Sequence, residues 1–272
     1  MALRSLHIPA APSLQTYATG LLVTLAYGAA SYGFNHTALG AVLREIPFVY
    51  FVGLQLTFAI APAAGILGHV AARRPATLGW LGLGLGPRDL SAAAGAFTLG
   101  CVVASFTIST DVGAPGGLDE AARIFANLLV ASASDAVVAL GVAANLVLLA
   151  LRELWKNPPL RAPEAIGALV ASGLLGIFHL SHSPPMEGLD RPLLLAAGWL
   201  TTSALFVLTR SLIAAILFLN TISLISVIPR DFAQDFEREV ELQASIGHGV
   251  ALISLTLALF IGTLWLSSRG SR

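Results

Sequence analysis

Eight apolar runs, each long enough to cross a bilayer as a helix, leave this chain few other ways to fold. A backbone facing lipid has no water to satisfy its N–H and C=O groups, so such runs must be helices. About 20 residues cover roughly 30 Å of hydrocarbon at about 1.5 Å per residue. The runs are Leu14 to Phe34, Ile46 to Ala71, Leu90 to Thr110, Ile124 to Leu151, Ala165 to Ser181, Pro192 to Thr209, Ser211 to Ile228 and Ile246 to Leu266. Charged residues make up only 11% of the chain, against about 25% in soluble domains. The expected fold class is all-α: a polytopic helical membrane protein with about eight transmembrane helices, forming one membrane domain over 1–272. The polar lead MALRSLHIPAAPSLQTY runs into an apolar stretch too long for a signal-peptide core, which reads as a retained anchor.

Charge sets the expected orientation. With eight spans, one face carries Arg4, Arg73, Arg74, Arg88, Arg152, Lys156, Arg161, Arg210, Arg269 and Arg272. The other carries Arg44, Arg123, Arg191, Arg230 and Arg238. Ten basic residues against five place both termini in the cytoplasm. Most acids fall on the opposite, outer face. The scattered basic residues sit at span ends, where topology explains them, so nucleic acid is not an expected partner. High Ala, Gly and Arg usage with a single Lys points to a high-GC bacterial source, and so to a bacterial cytoplasmic (inner) membrane. The single cysteine, Cys101, excludes a disulfide within the chain.

Three features are local. The outer segment 229–245 carries PRDFAQDFEREVELQA, with Phe232, Phe236 and Val240 on one helical face and a net-acidic opposite face. It reads as a surface amphipathic helix that packs on the body or meets a partner. Gly82, Gly84 and Gly86 lack the preceding strand and the spacing of a dinucleotide fingerprint, and read as a turn. Gly95 and Gly100, with Ala92 to Ala94, make the third run suited to close helix packing.

Asp135, inside VASASDAVVALG, is the one acid within a run. A carboxylate at membrane depth costs about 2.5–3.5 kcal/mol on insertion scales and is a functional-site candidate by default. The plainer reading pairs it with polar neighbours such as Ser132 and Ser134. The fifth run ends in Phe178-His179-Leu180-Ser181-His182. The expected topology puts Asp135, His179, His182, Asn220, Ser223 and His248 toward one outer face, where a carboxylate, imidazoles and an amide can hold a metal ion or activate water. The plainer reading of each histidine is an interfacial ring with one wet nitrogen.

Phe178 to His182 fits an FxxxH pattern, and its setting LVASGLLGIFHLSH resembles the second motif of the CPBP intramembrane protease family, the CAAX- and bacteriocin-processing (Abi) enzymes. LTRSLIAAILFLNTIS, Leu208 to Ser223, is similar to the family's third-motif helix, and GLGLGPRDL looks like a common family lead-in. The resemblance covers a core of approximately 83–223. It implies a site in which a glutamate and two histidines prepare water for attack on a peptide bond while an asparagine helps bind the oxyanion. Departures are plain. The family's EExxxR has as its best counterpart Ser134-Asp135-Ala136-Val137-Val138-Ala139, with one carboxylate and no arginine. The third motif's histidine falls on Leu219 or Ile216, depending on register. Losing one member of such a unit commonly costs orders of magnitude in rate.

Three functional expectations follow. The first is a CPBP-like pseudoprotease acting as an accessory or scaffold subunit of a larger membrane complex, its partners being the bilayer and other membrane subunits. The second is an active intramembrane endopeptidase with Asp135 and His182 as the catalytic pair. The third is a subunit that binds haem, a pigment or a metal such as zinc through His179, His182 or His248; no cofactor is the default. A transporter is disfavoured by the few embedded charges and the lack of repeated halves.

Overall fold

A computed structural model describes residues 12–44, 50–72, 81–84, 87–107, 129–155, 162–182 and 192–221. The segment 229–245, the eighth run, the end of the seventh, Ser223 and His248 lie outside the described residues. Among the described residues the chain is all-helical, with no strand.

Helix α1 spans Leu14–His36 and is capped by Ser13, whose side chain accepts from the Thr16 N–H at 3.2 Å. That bond satisfies one of the orphan donors at a helix start. A short α2, Ala38–Arg44, follows. Next, π-helical α3 over Tyr50–Ile60 continues directly as α4 over Ala61–Ala72. Pro62 lies at that junction, inside a continuous helix, where its missing N–H leaves one helical bond unmade as the register changes from π to α. Helix α5 is Pro87–Thr107, with proline at the first helical position and Asp89 in the first turn. Helix α6 runs over Leu129–Leu154 and is π-helical from Val137 to Ala144. Helix α7 is Ala162–His182, α8 is Pro192–Thr209 and α9 is Leu212–Thr221.

Three stretches are long and apolar enough to cross a membrane: Gly53–Ala72, Leu129–Leu154 and Ala162–His179. These fall on the second, fourth and fifth expected runs. The first and third runs also form long helices, α1 and α5, while α8 and α9 are shorter apolar helices over the sixth and the start of the seventh. Helix α6 is the axis, with 67% of its apolar stretch buried against 44% and 39% in the other two.

On α1 the packing is inverted relative to a helix of a soluble bundle. Helix α1 buries Thr16, Gly20, Thr24, Tyr27, Ser31 and Asn35, while Leu21, Leu22 and Leu25 are more than half exposed. In water that arrangement forfeits the hydrophobic effect; in lipid, small and polar residues draw helices together and leucines face the tails. Two of these buried polar groups are met locally: the Thr24 hydroxyl donates to the Gly20 carbonyl at 2.9 Å, and Asn35 Nδ2 to the Ser31 carbonyl at 2.8 Å.

The core joins Tyr27, Leu54, Ala136, Leu140, Leu175, Phe178, Phe206 and Leu219. Helix α8 lies along α7, and the approach is close at Gly176, where an added Cβ would come within 3.0 Å of the Trp199 ring.

Candidate functional site

The site is built around Asp135 on α6, just before the helix widens into its π-helical stretch. Asp135 is 8% exposed. Helix α1 presents Tyr27, fully buried, whose hydroxyl lies 2.7 Å from Asp135 Oδ1. Helix α3 presents Gln55, 1% exposed, with Oε1 3.2 Å from the same hydroxyl. A phenol has one proton. The shorter contact assigns it to Asp135. Gln55 Nε2 is buried without a hydrogen-bond partner. Rotating that carboxamide by half a turn lets its N–H donate to the Tyr27 oxygen. The result is a directed chain from the Gln55 amide to the Tyr27 hydroxyl to the Asp135 carboxylate, linking three helices.

Phe178 on α7, 1% exposed, packs edge-on to Tyr27 with ring centroids 5.0 Å apart and an interplanar angle of 76°. That geometry is favourable for aromatic pairs. One turn before Asp135, the Ser132 hydroxyl donates to Asn220 Oδ1 on α9 at 3.2 Å. Asp135, Phe178 and Asn220 therefore occupy one buried region, joined through Tyr27 and Ser132. His179 turns to α8, its ring 5.5 Å from that of Trp199 and tilted by 54°. His182 closes α7, but its side chain, like Ser223 and His248, lies outside the described residues. Among the described residues, no three His, Cys, Asp or Glu side chains cluster in a way that could hold a metal ion.

A second polar node sits at the turn between α8 and α9. Arg210 is buried and holds φ at 53°, and its N–H closes α8 onto the Phe206 carbonyl at 2.7 Å. Its guanidinium donates to Asn145 Oδ1 at 2.8 Å and lies 5.1 Å from the Phe206 ring centroid. Asn145 Nδ2 in turn donates to the carbonyls of Leu81 and Gly141 at 3.1 and 2.8 Å. Burial pushes the Arg210 pKa down to about 9; Arg152 adds to the shift and Glu164 opposes it. Arg152 and Glu164 themselves form an ion pair joining α6 to α7.

Sequence reading singled out neither Tyr27 nor Gln55 as partners of Asp135, and it counted Arg210 as an ordinary loop charge. One signal was present for Tyr27: Thr16, Gly20, Thr24, Tyr27, Ser31 and Asn35 recur every three or four residues, marking a polar face. No protein-family model, curated protein or solved structure matches the chain.

Proposed function

We propose that this chain is a multi-pass protein of a bacterial cytoplasmic membrane, with both termini cytoplasmic. It uses a CPBP-like scaffold whose proteolytic chemistry is lost, and it serves as an accessory or scaffold subunit of a larger membrane complex. The observation that carries this reading is the 2.7 Å bond from the Tyr27 hydroxyl to Asp135 Oδ1 at a site 8% exposed. A general base must reach the water or substrate proton that it removes. Here the best candidate for the base is engaged in joining α1 to α6. The missing second carboxylate, arginine and third-motif histidine point the same way.

A second reading, an active endopeptidase using Asp135 and His182, has one observation in its favour. Phe178, four residues before His182, packs on the same Tyr27 that bonds Asp135. Asp135→Asn separates the two readings, because asparagine keeps the shape and an acceptor for Tyr27 but is no base. The proposed scaffold leaves the set of new protein N-termini in native membranes unchanged in that variant and accumulates normally. Disappearance of specific cleavage products from a variant that still accumulates would overturn the proposal in favour of the protease.

A further inference from the structure

A cleft of about 390 Å³ opens between the start of α1 and the end of α4. Its rim is polar: Ser13, Gln15 and Thr19 from α1, and His69 from the last turn of α4. Its lower wall is apolar, with Gly65 and Ile66 facing α1. A Cβ built on Gly65 meets nothing within 4 Å, so the missing side chain is part of what leaves the space open.

The cleft has a direction. Helix α1 begins at Leu14 and the span containing α4 ends at Ala72; with α1 crossing the membrane as proposed above, the rim lies where both helices meet one surface. Gly65 is seven residues from Ala72, about 10 Å further in. On α1 the lower end is lined by Val23, while Leu21, Leu22 and Leu25 are exposed on the same helix. A ligand that fits must carry hydrogen-bonding groups at the surface and continue as hydrocarbon toward the membrane interior. A freely soluble anion matches only the rim, and an apolar partner helix would leave the Gln15 amide and the imidazole facing hydrocarbon.

We infer that this cleft is a binding site for a phosphate-bearing lipid headgroup. The Gln15 amide and the His69 imidazole donate to the phosphate, the Ser13 and Thr19 hydroxyls border its glycerol side, and an acyl chain descends past Gly65 and Ile66. The site rests on the proposed membrane placement of α1 and α4 but not on the scaffold role, so loss of the scaffold reading alone would leave it standing.

The test measures the phospholipid retained per protein after exhaustive detergent washing of the full chain reconstituted with dioleoyl phosphatidylglycerol. The wild type should keep about one equivalent, and should not keep dioleoylglycerol, which has the chains without the phosphate. His69→Leu removes a donor and Gly65→Leu fills the cleft; each should lower retention about tenfold, the scale of one lost charge-assisted hydrogen bond or of lost fit. Gly68→Leu, equally open but outside the cleft, should retain lipid like the wild type. Far-UV circular dichroism checks that all variants stay folded, and Gly68→Leu controls for added bulk on the same helix. Equal retention in wild type, His69→Leu and Gly65→Leu would mean annular lipid only and overturn the site. Binding of glycerol 3-phosphate to the lipid-free protein as tightly as the whole lipid would show that the acyl chains contribute nothing and would overturn a lipid as the ligand.

Discussion

Removing the Tyr27 hydroxyl isolates one hydrogen bond in the middle of the bundle. Tyr27→Phe keeps the ring, and with it the edge-on contact to Phe178 at 5.0 Å. It deletes the donor 2.7 Å from Asp135 Oδ1. A side-chain hydrogen bond is worth about 0.5–1.5 kcal/mol net in soluble proteins. Between membrane helices, measured couplings average about 0.6 and reach about 1.7 kcal/mol, because the unfolded chain in lipid also finds partners. Tyr27 is fully buried and Asp135 is 8% exposed. The pair therefore belongs at the upper end, and Tyr27→Phe should destabilise by about 1–2 kcal/mol. Asp135→Leu removes the acceptor altogether while keeping a side chain of similar size, so each single variant deletes the bond. Reversible unfolding of wild type, both single variants and the double variant by dodecyl sulfate in mixed micelles gives the coupling directly. We expect a coupling of about 0.5–1.7 kcal/mol. A value below about 0.3 kcal/mol, within the scatter of independent sites, would mean that Tyr27 does not donate to Asp135 and would refute the reasoning.

Other perturbations probe the second node and the surface. Gly82 holds φ at 83°, and a Cβ there would lie 2.6 Å from Phe206 Cε2, so Gly82→Ala should cost about 2 kcal/mol in the same unfolding assay. Asn145→Ala leaves the buried Arg210 guanidinium short of the acceptor at 2.8 Å and should cost about 2–3 kcal/mol. Arg210→Met removes the buried charge itself and should cost less than Asn145→Ala, because desolvation is relieved as the bond is lost. Glu164→Gln should shift stability by less than about 1 kcal/mol, since the ion pair to Arg152 is partly exposed and such pairs are worth little.

Helices were legible wherever apolar length alone decides them. The expected run Pro192 to Thr209 is the helix found, and Ala165 to Ser181 lies within α7, which starts at Ala162. Helix α6 ends at Leu154, three residues beyond the expected Leu151. What hydropathy hides is which face of a helix turns inward. Averaged over Leu14 to Phe34, the leucines outweigh the threonines, tyrosine and serine that α1 buries. The π-helical registers at Tyr50–Ile60 and Val137–Ala144 leave no mark in composition, because widening a helix depends on its neighbours as well as on its own residues. Asp135 was singled out as an embedded carboxylate, yet its partner Tyr27 lies 108 positions away along the chain, and Gln55, which bonds that tyrosine, is 28 positions from it. Arg210 looked like a topology marker because a charge between two apolar runs usually is one. Its burial follows from the tight turn that sets it over Phe206 and against Asn145.

The most direct test of the central claim is the composition of what purifies with this chain from native membranes in a gentle detergent. Protein mass spectrometry and metal analysis are performed on the same preparation. A scaffold subunit predicts one or more membrane proteins at fixed stoichiometry, retained in the Asp135→Asn variant. A solitary chain that carries zinc and cleaves a membrane peptide, losing that cleavage in Asp135→Asn, would contradict the account.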